Sequence, residues 1–189
     1  MLVRFVLIAA ALLVAGCGRA PEQQVGAGEA PPLDSPAPES EPSRGFTPAN
    51  DAARAATGDV TVAMSLSLPD AGDQNASAQE TLTLRGANGL LIAAAVTSAV
   101  SPATMVEGQT LRALMALPVE EPQTLVYRVS SQTKPENGQG LCAAADPAFV
   151  VIWEPSGPGE AVLKVMGLTG GAPGAAGARA CPMLEYRRP

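Results

Sequence analysis

The sequence contains no histidine, and aromatic residues make up only 3% of its 189 residues. Without histidine the chain lacks the commonest general base and metal ligand, and it cannot form a Ser-His or Cys-His nucleophile pair on its own. Basic residues are also scarce. The chain has 12 Lys and Arg residues and 18 Asp and Glu residues, which gives a formal net charge of -6. This acidic balance argues against a nucleic-acid partner, which requires a basic surface.

The first 16 residues have the layout of a secretory signal peptide. A short start carrying Arg4 is followed by the unbroken apolar run from Phe5 to Leu13 and then by small residues. The run is too short to span a bilayer. A charged start, a short apolar run and small residues before a cut predict a cleaved signal over residues 1–16.

The segment Leu13-Val14-Ala15-Gly16-Cys17 resembles the lipobox of bacterial lipoproteins. The resemblance implies that the Cys17 thiol receives a diacylglyceryl group and that Cys17 becomes the first residue of the mature chain. Two or more acyl chains hold a protein stably on a membrane, so the membrane is one expected partner. Gly18 stands where an aspartate would retain such a protein at the inner membrane, which implies the outer membrane with the domain facing the periplasm.

Residues 17–56 are rich in proline and alanine and poor in large apolar side chains. Such a composition buries too little apolar surface to offset the entropy of ordering. The sequence therefore predicts a disordered tether over residues 17–56 and a single β-rich periplasmic domain over residues 57–189.

Period-two alternation is the clearest structural signal within the predicted domain. Val60, Val62 and Met64 begin a series in which apolar residues alternate with small polar ones, which is typical of a half-buried strand. Asn88-Gly89 predicts a hairpin, and the apolar run from Leu90 to Val100 predicts a strand, with a buried helix less favoured. Seven or eight short strands predict an all-β fold, a small antiparallel barrel or sandwich. Residues 108–117 fit either a helix capped by Thr110 or a strand.

Three cysteines occur in the chain, and lipid on Cys17 leaves an even pair. Thiols outside the cytoplasm pair, so the sequence predicts a structural Cys142–Cys181 disulfide. A metal site is disfavoured because two thiols without histidine are a poor ligand set.

Three short patterns resemble catalytic or metal motifs, but each is better explained by chance. Ser131 and Lys134 match the S-x-x-K pattern of penicillin-binding enzymes, yet Pro135 disfavours the helix that the motif requires. A loop starting at Asp73 lacks the glycine and the final glutamate of a calcium loop. Glu120 and Glu121 precede a proline and predict an exposed turn. No catalytic residue, metal or cofactor is predicted.

Trp153-Glu154, at the end of a predicted strand beside a Pro/Gly-rich loop, is the best candidate for a recognition edge. We therefore expect a non-enzymatic envelope lipoprotein whose β-domain binds an envelope protein or serves an assembly as an accessory part. Two alternatives are an inhibitor of a cell-wall hydrolase such as lysozyme and a carrier of a hydrophobic ligand.

Overall fold

The computed structural model describes residues 39–40, 42–67, 77–155 and 161–189. The predicted signal peptide, Cys17, most of the predicted tether and the Asp73 loop lie outside the described residues. The described part is mostly strand, and its elements in chain order are β1 (Glu39–Ser40), β2 (Arg44–Pro48), α1 (Asp51–Ala56), β3 (Val60–Ser67), β4 (Gln79–Gly86), β5 (Leu91–Val100), β6 (Met105–Val106), β7 (Gln109–Thr110), α2 (Leu111–Met115), β8 (Thr124–Thr133), β9 (Phe149–Trp153), β10 (Val162–Thr169), β11 (Arg179–Ala180) and β12 (Leu184–Arg187).

Eight strands form a closed antiparallel barrel, which confirms the predicted all-β class and selects the barrel over the sandwich. Each barrel strand pairs with its neighbour in the chain, in the order β2-β3-β4-β5-β8-β9-β10-β12, and β12 pairs back with β2. The pairing of β12 with β2 that closes the barrel consists of two residue pairs, Tyr186 opposite Pro48 and Arg187 opposite Thr47. The excursion through β6, β7 and α2 and the two-residue strands β1 and β11 lie outside this ring.

Side chains fill the inside of the barrel. Alternate residues of each strand point inward, as Val60 and Val62 of β3 do, and both are buried. Phe46, Tyr127 and Tyr186 are among the largest side chains of this core and are at most 2% exposed. An eight-stranded barrel has an interior just wide enough for such side chains.

A second buried cluster covers the outer wall of the barrel. Trp153 from β9 and Met166 from β10 share this cluster with Leu111 and Met115 from α2. Because β10 packs against the interior on one side and this cluster on the other, its six residues from Leu163 to Leu168 are all buried. A strand buried on both faces loses the apolar–polar alternation, and in this stretch Lys164 is the one charged residue.

The domain begins earlier than the predicted boundary at residue 57. Strand β2 and helix α1, both inside the predicted tether, complete the barrel and close one end of it. Asn50 caps α1 by accepting a hydrogen bond from the Ala53 N–H, and Thr57 lies 2.8 Å from the Tyr186 hydroxyl. We call this the closed end, and it also holds the Asn88-Gly89 hairpin between β4 and β5.

The ambiguous segments take definite forms in the structure. Residues 108–117 contain both β7 and helix α2, and the Thr110 side chain caps α2 by accepting from the Ala113 N–H. The apolar run before Val100 is strand β5, as expected. Within the described residues, no helix is both long and apolar enough to cross a membrane.

The predicted Cys142–Cys181 disulfide is present, with a Cα–Cα distance of 5.0 Å. It joins the loop after β8 to the segment between β11 and β12, at a separation of 39 residues. Cys142 belongs to the interior core and is 9% exposed.

Candidate functional site at the rim of the barrel

Trp153 and Glu154 lie at the end of β9, on the side of the barrel opposite the closed end. We call this end the rim, where β9 ends and β8 and β10 begin. The two residues were predicted as a recognition edge, and the structure places them beside a cavity. The loop of residues 156–160 that follows them lies outside the described residues.

Trp153 belongs to the cluster on the outer wall, and it is 8% exposed. Lys164 lies opposite it on β10, with its Nζ atom 5.4 Å from the centre of the indole ring. The same ammonium group donates a 2.7 Å hydrogen bond to the Ala116 carbonyl at the end of α2. The indole N–H of Trp153 is buried and has no acceptor among the described residues. An unsatisfied buried donor is uncommon, so the site has a hydrogen-bonding capacity that the described chain does not use.

Glu154 is held by two arginines that are distant in sequence, Arg44 on β2 and Arg188 directly after β12. Arg44 Nη1 donates a 2.6 Å hydrogen bond to Glu154 Oε2, and Arg188 Nη2 lies 3.6 Å from Oε1. The Glu154 side chain is 19% exposed and that of Arg44 is 27% exposed. These contacts cross the short β2–β12 closure of the barrel, so they hold the strand ends together at the rim.

A cavity of about 300 Å³ opens beside this ion pair. Its walls combine apolar, polar and charged residues from β2, β3, the segment before β8, the start of β8, and the end of β9 with the residue after it. They are Arg44, Met64, Glu121, Gln123, Thr124, Leu125, Ile152, Trp153 and Glu154. No hydrogen bond or ion pair within the described chain reaches the Glu121 carboxylate.

Two residues of this site were not predicted from the sequence. Arg44 was assigned to the tether, although Phe46 two residues later is a large apolar side chain of the kind that anchors a strand. Glu121 was assigned to an exposed turn, but it is half-buried and lines the cavity, whereas Glu120 is exposed.

The S-x-x-K pattern does not form the arrangement that its chemistry needs. Ser131 lies on strand β8 and not on a helix, and Lys134 instead forms a 2.8 Å ion pair with Asp146. In the described residues, three or more acidic or cysteine side chains do not come together as ligands for a metal ion.

No family model matches the chain, and neither a curated protein nor a solved structure shows significant similarity to it.

Proposed function

We propose that this protein is a lipid-anchored lipoprotein of the bacterial envelope and that its barrel is a non-enzymatic module for binding a protein partner at the rim. The anchor rests on the lipobox-like segment ending at Cys17, and the outer membrane follows from Gly18. The partner is expected to be another envelope protein.

One observation carries the binding function: the barrel interior is filled, whereas the rim holds a cavity with unused hydrogen-bonding groups. Tyr127, Tyr186 and Phe46 occupy the interior, which weighs against the alternative that the barrel carries a hydrophobic ligand. The rim cavity has a mixed polar and apolar lining, and its Glu121 makes no ion pair within the described chain. Mixed linings with a few polar groups are typical of recognition sites.

The formal net charge of -6 favours inhibition of a cell-wall hydrolase as the second candidate function. Glu80, Glu121 and Glu154 are at least partly buried at this end of the barrel, and Glu80 accepts a 2.5 Å hydrogen bond from the Tyr127 hydroxyl. An acidic surface attracts a cationic enzyme such as lysozyme. If purified protein does not inhibit lysozyme at low ionic strength, this candidate is excluded.

Site-specific cross-linking in cells tests the main proposal. A photo-reactive amino acid is placed at Val119, which is 79% exposed in the segment leading to β8 at the rim. The matched control position is Glu136, which is exposed and follows the other end of β8. We expect one dominant envelope protein to be captured from Val119 and not from Glu136, and less of it in a Cys17→Ser background. Equal capture at both positions, or none at either, would contradict binding at the rim.

A further inference from the structure

We infer that Asn137 is a deamidation site and that the fold protects Asn88 from the same reaction. Each of these asparagines precedes a glycine, and they form the two Asn-Gly dipeptides of the sequence. Both lie at the closed end of the barrel, where they line one surface depression. The modification is therefore separate from the proposed binding at the rim.

The reaction uses the chain itself and water. The backbone nitrogen of the glycine attacks the side-chain Cγ atom of the asparagine, and a new C–N bond forms. The side-chain amide group leaves as ammonia, taking with it the proton of the glycine N–H. Water then opens the resulting succinimide ring at either of its carbonyl groups, which gives aspartate or isoaspartate. Glycine favours the attack because it has no Cβ atom to hinder the approach.

The two Asn-Gly turns have the same local hydrogen bonds. In each, the asparagine is the third residue of a four-residue turn, and the glycine N–H donates to the carbonyl of the first residue, at 3.1 Å in residues 86–89 and 2.8 Å in residues 135–138. The side-chain Oδ1 accepts from the N–H two residues later, at 3.1 Å for Asn88 and 3.0 Å for Asn137. The dipeptide and its turn therefore do not distinguish the two sites.

Tertiary hydrogen bonds fasten the Asn88 turn to the end of α1 and the start of β3. Asn88 Nδ2 donates a 2.8 Å hydrogen bond to the Ala56 carbonyl, and the Asn88 backbone N–H donates to the Thr57 carbonyl at 3.3 Å. The preceding Ala87 N–H donates to the Asp59 carbonyl at 2.8 Å. The attack requires the asparagine to rotate toward the glycine nitrogen, so these contacts must open before the reaction can occur.

The Asn137 turn lies in the connection between β8 and β9. Asn137 is exposed, and so are its neighbours Glu136, Gly138 and Gln139. Within the described part of the chain, Asn137 Nδ2 has no hydrogen-bond partner, and the bonds of this turn are all local. Rotation of Asn137 therefore breaks bonds of the turn alone. One tertiary hydrogen bond of ordinary net strength corresponds to about a fivefold difference in rate.

The test follows both asparagines in one sample of the full-length protein, kept in detergent at mildly alkaline pH in water labelled with heavy oxygen. Peptide mapping by mass spectrometry measures the labelled product at each site over time. We expect Asn137 to be converted about fivefold or more faster than Asn88. In a sample unfolded by denaturant the tertiary bonds are lost, so the two rates should approach each other. Asn137→Gln should remove the product at residue 137 and leave the rate at Asn88 unchanged.

Equal rates in the folded protein, or faster conversion of Asn88, would overturn this inference. So would a ratio of rates that stays the same after unfolding, because the difference would then arise from the neighbouring residues in sequence and not from the fold. A folded protein that forms no product at Asn137, over a period in which the unfolded chain is converted, would equally contradict it. The cross-link from Val119 tests the proposed function independently of these rates.

Discussion

Gly167 of β10 lies directly against the sulfur of Cys142. A Cβ atom at Gly167 would stand 2.6 Å from Cys142 Sγ and 3.4 Å from Cys181 Sγ. The disulfide is fixed at both ends and cannot move aside as a free side chain could. We therefore expect Gly167→Ala to destabilise the domain by about 1–3 kcal/mol, the usual cost of overpacking a core, in chemical denaturation.

The matched control is Gly45→Ala in β2, where a Cβ atom would meet nothing within 4 Å. This variant should leave the free energy of unfolding nearly unchanged. In a Cys142→Ala/Cys181→Ala background the Gly167→Ala penalty should shrink, because the sulfurs are gone. An undiminished penalty there would assign the cost to Pro147, whose Cβ would lie 3.3 Å from the new atom, and not to the disulfide.

Loss of the Cys142–Cys181 disulfide should lower stability without changing the fold. Closing a loop of this length, with a sequence separation of 39, corresponds to about 4 kcal/mol of chain entropy in the unfolded state. Reduction should therefore lower the melting temperature by roughly 10 °C. The measurement is a thermal melt with and without reductant, and mass spectrometry confirms reduction. A fully reduced protein with an unchanged melt would contradict a stabilising role.

The strands that the sequence predicts well are those whose pattern is local. Val60 to Leu68 alternates over nine residues, and β3 occupies Val60–Ser67 of this stretch. The cysteine pairing was equally predictable, because assigning Cys17 to the predicted lipid leaves one possible pair. The alternation lies within a short piece of chain, and the pairing follows from the number of cysteines alone.

Strand β2 was missed because its existence depends on distant residues. Its five residues hold one buried side chain, Phe46, and its partners are β3 and the far C-terminal β12. Phe46 is the one residue in it that differs from the composition of a tether. The rim site was found only in part for the same reason, since Arg44 reaches Glu154 across 110 residues of sequence.

Lys164 is expected to stabilise the α2 excursion through its hydrogen bond to Ala116. The side chain is buried. Its ammonium group contacts the end of α2 through the Ala116 carbonyl and also lies over the Trp153 ring. Lys164→Met keeps the apolar stem but removes the donor, and the Ala116 carbonyl loses a charged partner. We expect a loss of about 1.5–3 kcal/mol in the free energy of unfolding and a changed Trp153 emission.

Lys134→Met is the control for this substitution. Lys134 also donates a 2.7 Å hydrogen bond to a backbone carbonyl, that of Ala144, but its side chain is 27% exposed and its ion-pair partner Asp146 is 71% exposed. Solvent competes for such contacts, so the loss should stay below about 1 kcal/mol. Equal losses for the two variants would mean that burial of Lys164 adds nothing.

Tyr186 should make the domain sensitive to alkaline pH. Burial raises the pKa of Tyr186 from 10.0 to about 12, and its hydrogen bond with Thr57 offsets part of that rise. Above pH 10 the unfolded chain releases this proton while the folded chain keeps it, so the folded state binds more protons and stability falls as pH rises. The contribution is complete below pH 10 and is lost by about pH 12, at a total of roughly 2–3 kcal/mol.

Tyr186→Phe isolates this contribution. The variant should lose about 1 kcal/mol at neutral pH, because the hydrogen bond to Thr57 disappears, and its stability should decline less between pH 10 and 12 than that of the natural protein. Denaturant unfolding between pH 10 and 12 gives the slope of stability against pH for each protein. Both proteins contain the same lysines, so the difference between the two slopes is free of the lysine contribution. The chain has only two tyrosines, so the phenolate absorbance of the two proteins gives the pKa of Tyr186 by subtraction. Parallel pH profiles would show that the proton on Tyr186 does not contribute to folding stability.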